Sequence, residues 1–381
     1  MTSDERKEAR YQRRKAKREQ RRLEMLKSYN FDTVTSPDAL YNASKSARRG
    51  VYWKASVQRY NMNLLRNSIQ ASKDLKAGVD LRKGFIEFHL AERGKKRYIR
   101  SVHFSERVVQ RSLCANALVP LLTRNLIHDN GASIQNKGIH FAVKRLKTHL
   151  TRHYRQHGKN GYVILVDFKG YFENILHEPL LQIDKRTFGE DERLLNLAMS
   201  FVYIFGDKGL GLGSEISQIK AVAYPNRIDN YIKSILRCKF YGRYMDDSYI
   251  ICETKEETDR VYTALPALYA EMGITVSPNK TQIVKLSRGF TYLKTHFSLT
   301  ETGRIIEKPG RESITRQRRK LKKFKKLLDK GEMTIEHIHM SYMSWRGFTA
   351  HKNAGQTIRS MDKLYTELFG EPPIIKKLGG Y

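Results

Sequence analysis

The chain has 381 residues, 40% of them hydrophobic, a formal net charge of +32 at pH 7 and a pI near 10.0. That length can bury a large core in two or three subdomains, which excludes a disordered chain, and the basic excess is spread along the sequence, which favours nucleic acid as partner over an acidic membrane surface. No apolar run approaches the roughly 20 residues that span a bilayer, the N-terminus has no apolar signal core, and Cys114, Cys238 and Cys252 are too few and too scattered for a zinc site or a disulfide framework. A reducing cytoplasm without a membrane partner is the setting these features predict.

From Asp4 to Lys27 the sequence is dense in Arg and Lys and lacks Pro and Gly, which predicts one exposed basic helix, either a phosphate-tracking arm or a solvated helix with no partner. Val51-Tyr52-Trp53 opens a predicted helix through Leu65. Phe85 to Leu90 alternates like a strand, and a turn at Arg93-Gly94-Lys95 with a second strand, Arg97 to Arg100, makes it a hairpin. Arg107 begins a helix that runs toward Pro120; spacing alone leaves its arginines as core-edge caps or template contacts. Asn130 to Gly138 is a polar, glycine-punctuated loop leading into a helix with Lys144, Arg145 and Lys147. Backbone amides at such a helix start, with a lysine beside them, can hold phosphates.

Tyr162 to Val166 reads as a buried strand ending at Asp167, where a carboxylate is costly unless it is liganded, reaches solvent or caps the next helix. After a helical stretch from Leu194 to Val202, the run Gly209-Leu210-Gly211-Leu212-Gly213-Ser214-Glu215-Ile216-Ser217-Gln218 opens an amphipathic helix predicted through Leu236. Its glycines do not fit a dinucleotide fingerprint, but they let a backbone approach a flat ligand closely. Tyr241 to Cys252 reads as a β-hairpin with Asp246-Asp247 at its turn. Adjacent carboxylates repel, and a hard divalent ion bound by oxygen relieves them while serving phosphate chemistry; an acidic turn in water is the plainer alternative. Glu256 to Met272 is helical, Gly273 to Thr281 turns into a strand, and Phe290 to Leu293 begins another. From Arg311 the chain is basic and helical, with Leu321, Phe324 and Leu328 as a buried stripe among Arg318, Arg319, Lys320, Lys322, Lys323, Lys325 and Lys326, a pattern suited to a duplex backbone.

The order of a strand ending in Asp167, a glycine-rich loop, an Asp-Asp hairpin, a glycine seven positions before Lys280 and an aromatic strand resembles the palm of reverse transcriptases, from about Arg107 to about Leu293. The resemblance implies an α+β right-hand polymerase: residues 1–28 a basic N-terminal helix, 29–160 the fingers, 161–300 an antiparallel-sheet palm, 301–381 a basic helical thumb. It implies that Asp167 and Asp246 bind two magnesium ions (manganese as a substitute), with Asp247 beside them and Phe168 adjoining both the metal and the nucleotide. One ion lowers the pKa of a primer 3′-hydroxyl and the other holds the triphosphate and its pyrophosphate leaving group. By the same resemblance Phe172 is a steric gate against a ribose 2′-hydroxyl, Lys280 meets the leaving pyrophosphate, Lys137 is a basic fingers residue on the triphosphate, and Phe290 to Leu293, with Tyr292 and Leu293, form the primer grip. Arg318, Arg319, Lys322, Lys323 and Lys326 are the thumb's contacts to nucleic acid.

Leu212-Gly213 and Ser217-Gln218 stand where group II intron and retron enzymes usually carry Gln-Gly and Ser-Pro, and this looks like the reverse transcriptases of diversity-generating retroelements. Those copy a template RNA into cDNA from deoxynucleotides with errors at adenines and work with a small basic accessory variability protein. Replacing an amide by Leu212 removes a hydrogen bond that could orient the nucleotide or template base, so mispairs are penalised less. The competing functions are another bacterial reverse transcriptase, of retron, group II-like or abortive-infection type, and a non-catalytic RNA-binding scaffold. Asp167, Asp246 and Asp247 together argue against a scaffold, which has no reason to keep three mutually repelling carboxylates. The resemblance places the enzyme in the cytoplasm, bacterial or phage-encoded.

Overall fold

The computed structural model describes residues 2–92 and 95–373, so Arg93 and Gly94 of the expected turn lie outside the described residues. The basic N-terminal stretch is α1 (Ser3–Ser28), with no buried residue. The Thr2 hydroxyl accepts from the Glu5 N–H at 3.3 Å and the Glu5 carboxylate accepts from the Thr2 N–H at 2.7 Å, so two otherwise orphaned donors are satisfied reciprocally. There follow α2 (Phe31–Val34), α3 (Pro37–Ala47), α4 (Ala55–Met62) and α5 (Leu64–Lys76). The single helix expected from Val51 to Leu65 is instead a turn and two helices, broken at Asn63 (φ −116, ψ 37), a residue type whose side chain competes with helical backbone bonding.

β1 (Phe85–Glu92) and β2 (Lys95–Val102) form the expected hairpin, with Phe85 opposite Val102. α6 (Phe104–Leu113) passes through a π-helical turn, Cys114–Leu118, into α7 (Val119–Thr123), whose first turn takes Pro120, where a missing N–H matters least. α8 (Ile139–His157) leads to β3 (Tyr162–Val166), then α9 (Tyr171–Asn174), α10 (His177–Phe188), α11 (Glu192–Tyr203), α12 (Glu215–Ala223) and α13 (Asn226–Ser234). The helix expected to run on through Leu236 is broken between α12 and α13 at Pro225. Proline has no N–H to offer the carbonyl four residues back, and that carbonyl, Ala221 O, accepts instead from Tyr171 Oη at 2.6 Å.

β4 (Phe240–Tyr244), β5 (Asp247–Cys252), α14 (Lys255–Ala270), β6 (Gln282–Lys285), β7 (Phe290–Tyr292), β8 (Thr295–Leu299) and β9 (Ile305–Pro309) precede three C-terminal helices, α15 (Arg311–Asp329), α16 (Ile335–Ala350) and α17 (Gly355–Phe369). The strand expected to include Leu293 stops at Tyr292, because Leu293 (φ 45) and Lys294 (φ 62) make the two-residue turn into β8.

β3 and its neighbours make an antiparallel sheet in the order β4-β5-β3-β6. Its period-two alternation supplies both faces. Ile164, Val166, Ile250 and Cys252 pack with Tyr171, Tyr224, Val261, Leu265 and Tyr269 on one side. Val163, Tyr249 and Ile251 pack on the other with Leu146 and Leu150 of α8 and with Phe290, Tyr292 and Phe297 of β7 and β8. A helical core joins α2, α3, α5, α6 and α7 to α10, α11 and α12, from both sides of position 160. Leu321, Phe324, Ile338, Tyr342, Met361 and Tyr365 hold the three C-terminal helices to one another. The α+β class expected from the sequence is observed. Among the described residues no helix is long and apolar enough to cross a membrane.

Candidate active site

β3 pairs with β5 so that Val166 lies opposite Ser248; the same register carried one residue further sets Asp167, just past the end of β3, against Asp247, the first residue of β5. β4 and β5 close on Tyr244 opposite Asp247, which leaves Met245 and Asp246 as the turn. Two strand ends and a tight turn thus bring all three expected aspartates to one edge of the sheet. Burial first, then the neighbouring charges of Asp246 and Asp167, push the Asp247 carboxyl up to about 7.

Lys280 is delivered to the same edge. Beyond β3 the chain goes on pairing: Phe168 bridges Val276, the Lys169 N–H donates to Thr275 O at 2.9 Å, and the Ser277 N–H donates to Asp167 O at 2.8 Å. The turn that follows, with the Thr281 N–H on Ser277 O at 2.9 Å, swings the Lys280 ammonium onto Asp167 Oδ1 at 2.6 Å. That bond raises the lysine's proton affinity. The pair is only partly covered, with Lys280 55% and Asp167 16% exposed, so a ligand reaches it.

A residue that sequence reasoning passed over fixes the turn. Arg243 and Asp229 are both wholly buried; the guanidinium Nε lies 2.9 Å from each carboxylate oxygen and Nη2 lies 2.7 Å from Oδ2. Tyr241 Oη donates to the same carboxylate at 2.5 Å. Two further N–H groups of Arg243 reach carbonyls, Nη1 to Met245 O at 3.0 Å and Nη2 to Val222 O at 2.8 Å. Met245 has φ 58, a left-handed conformation unfavourable for a residue with a Cβ. The arginine therefore holds a strained residue directly before Asp246.

Asp129 is a second buried hub. Its carboxylate receives Arg145 Nε and Lys233 Nζ, each at 2.5 Å, and faces His149 Nε2 at 3.6 Å. Burial opposes its charge, but these two cationic donors prevail and hold it at about 2. Its backbone pairs with β4, Arg243 N–H donating to Asp129 O at 3.1 Å and Gly131 N–H to Arg243 O at 3.0 Å, so the loop 130–138 is stitched to the aspartate hairpin.

The remaining expected residues are spread over the fold. Phe172 is half-buried in the first turn of α9, and Leu210 N–H donates to Phe172 O at 2.7 Å, which joins it to the glycine-rich loop. In that loop Leu212 is half-buried; its carbonyl accepts from the Arg100 N–H of β2 at 3.2 Å. Gly213 (φ 110) runs so close to β2 that an added Cβ would stand 3.2 Å from Arg100 O. Gln218 is exposed on α12. The Phe168 ring is 2% exposed and packs on Tyr171 and Tyr269, so the part of this residue left for a ligand is its backbone, next to Asp167. Lys137 donates to His128 O at 2.8 Å and lies over the Phe141 ring, bonds made within its own segment. Tyr292 is buried against Tyr249. Arg318, Arg319, Lys322, Lys323 and Lys326 are exposed on α15, around the buried Leu321 and Phe324.

Among the described residues no group of three His, Cys, Asp or Glu side chains is arranged to hold a metal ion by itself. The donor set nonetheless suits a hard cation that takes one or two carboxylates and fills its shell from phosphate and water. The raised carboxyl of Asp247 and the ammonium resting on Asp167 both mark an edge where positive charge is wanted.

Residues 75–297 match the family model described as reverse transcriptase (RNA-dependent DNA polymerase). No curated protein matches the chain. Similar solved structures include a telomerase from Candida albicans in complex with a TWJ fragment of telomeric RNA, 10% identical with a TM-score of 0.48, over 81% of this chain and 65% of that one. Another is an apo telomerase from Candida tropicalis truncated from its C-terminal domain, 13% identical with a TM-score of 0.45, over 58% of this chain and 54% of that one. The chain spans less than two thirds of the length of either.

Proposed function

We infer the reaction from family membership: the chain belongs to the reverse transcriptase (RNA-dependent DNA polymerase) family, whose model matches more than half of it. The reading is RNA-directed DNA synthesis by nucleotidyl transfer, in a diversity-generating retroelement. The observation that carries the reaction is the convergence of Asp167, Asp246 and Asp247 at one sheet edge with Lys280 on Asp167.

Asp167 and Asp246 would hold magnesium, with Asp247 beside them. Bound there, the metal supplies a lowered pKa for the primer hydroxyl and charge neutralisation for the triphosphate. Lys280, already drawn to this edge, offers a proton and a positive charge to the departing pyrophosphate. Phe172 closes one wall as the gate against a 2′-hydroxyl. The β7 to β8 hairpin with Tyr292 and Leu293 serves as the primer grip, Lys137 lies on the fingers side, and the α15 cations track the duplex backbone. Leu212 and Gln218 support the narrower assignment: their side chains differ from those of group II intron and retron enzymes, Leu212 in the loop that backs onto β2 and Gln218 in the first turns of α12. The template RNA, its cDNA and a small basic accessory variability protein are the partners this assignment calls for.

The test is primer extension on RNA with magnesium and deoxynucleotides, beside Asp246→Asn and Asp167→Asn. Synthesis is expected in the wild type and abolished in both variants, while RNA affinity, which comes from many Lys and Arg contacts, stays nearly unchanged. Variants that extend at the wild-type rate would refute the site, and a wild type that binds RNA without extending would leave the scaffold reading.

A further inference from the structure

Away from the aspartates, a cavity of about 200 Å³ opens where α8, the β8 to β9 hairpin and the loop between α16 and α17 meet. The joint is well made. Asn353 N–H donates to Glu307 O at 2.8 Å, Glu307 N–H donates to Asn353 Oδ1 at 2.9 Å, and Lys147 is ion-paired to the Glu307 carboxylate. The rings of His140 and His351 meet across it at 4.6 Å.

Its charge is one-sided. Among the described residues Lys144, Lys147 and Lys352 line the cavity against a single carboxylate, Glu307, which Lys147 already engages. Three cations less one anion leave an excess of two, before either histidine is protonated. Lys352 Nζ is enclosed and, among the described residues, meets no hydrogen-bond acceptor, only the face of the Phe348 ring at 4.1 Å. Burial lowers its proton affinity, opposed by Glu307. A buried ammonium without an acceptor is expensive, and a polyvalent oxyanion that offers several acceptors would satisfy it together with Lys144 and the imidazole N–H groups.

We propose that this cavity is a phosphate-binding site, seating one phosphate group between α8 and the loop that joins α16 to α17. The bound group would link Lys144 of α8 to Lys352 of that loop and so fasten the C-terminal helices to the sheet. The site is separate from the aspartate edge, so it stands whether or not the template assignment does.

To test it, the full-length protein is treated with an amine-acylating reagent in three solutions of equal ionic strength containing sodium chloride, inorganic phosphate, or a 5′-phosphorylated RNA oligonucleotide. Labelling of each lysine is read by mass spectrometry. Several-fold protection of the exposed Lys144 over the chloride solution is expected. Protection by inorganic phosphate identifies a free anion as the ligand, and protection by the oligonucleotide alone identifies a strand phosphate; either supports the site. Lys352→Met should abolish the protection of Lys144, and Lys352→Arg, which keeps the charge, should retain it. Equal labelling of Lys144 in all three solutions, or protection of Lys144 that survives Lys352→Met, would overturn the proposal.

Discussion

Arg243 and Asp229 form an enclosed ion pair directly beneath the aspartate turn, the guanidinium bridging one carboxylate and two backbone carbonyls. Buried pairs of this kind add little to stability beyond what an apolar pair would, but removing one partner strands the other charge. Asp229→Asn is therefore expected to cost about 3–5 kcal/mol in a denaturant titration. Arg243→Lys keeps the charge and loses the fork that reaches Met245 O, so kcat should fall more than stability does. Equal activity in Arg243→Lys and wild type would show that the turn holds itself.

Phe172→Ala should admit ribonucleotides. The Phe172 backbone is held by the Leu210 N–H at 2.7 Å, so the substitution removes the ring and leaves the path of the chain in place. Steric exclusion of one hydroxyl contributes on the order of a few kcal/mol, so discrimination should drop by orders of magnitude while deoxynucleotide incorporation persists. Matched incorporation assays decide it: unchanged selectivity would mean that Phe172 only packs.

Leu212→Gln should lower misincorporation opposite template adenine. One hydrogen bond contributes on the order of 1 kcal/mol, so the change is severalfold, not absolute. Because the Leu212 carbonyl is held by Arg100, the substitution alters the side chain with little movement of the loop. Sequencing cDNA from both enzymes on one adenine-containing template measures the difference. Equal and low adenine errors would point to an ordinary bacterial reverse transcriptase.

His149 makes stability acid-sensitive. Burial first, then Lys233, Arg145 and Arg152, hold the imidazole down at about 4, against the pull of Asp129. Its folded pKa lies below the unfolded value, so the stability it permits is complete above about pH 6.5 and is lost as pH falls toward 4. His149→Gln should flatten that part of the melting-temperature profile, at the cost of the bond between His149 and Tyr249 Oη. A profile of wild-type steepness in the variant would assign the acid sensitivity to other groups.

Much of this site could be read along the chain because its parts are local. Asp167 closes an apolar run, Asp246 and Asp247 sit between two strand-like runs, and both patterns survive folding unchanged. The support was not legible. Arg243 lies in the strand run Phe240–Tyr244, and Asp229 lies 14 residues before it in a helix; no periodicity couples the two. Asp129 receives Lys233 from 104 residues away, a pairing that only the folded sheet creates. The burial of the Phe168 ring follows from strand alternation, which turns successive side chains to opposite faces and leaves the backbone of that residue beside Asp167. The break at Pro225 falls inside an apolar pattern that continues past it, and one residue without an N–H overrides that pattern.

That proline has a consequence for anyone who would stabilise the protein. Pro225→Ala looks like a safe gain in helix propensity. It would also supply an N–H that competes with Tyr171 for the Ala221 carbonyl, loosening the residue next to Phe172, while the adjoining carbonyl, Val222 O, is the one that Arg243 uses. A straighter, better-bonded helix would therefore rob the Tyr171–Phe172 segment of its anchor and tug at the turn that carries the aspartates: here the imperfect helix is the working part, and repairing it is the injury.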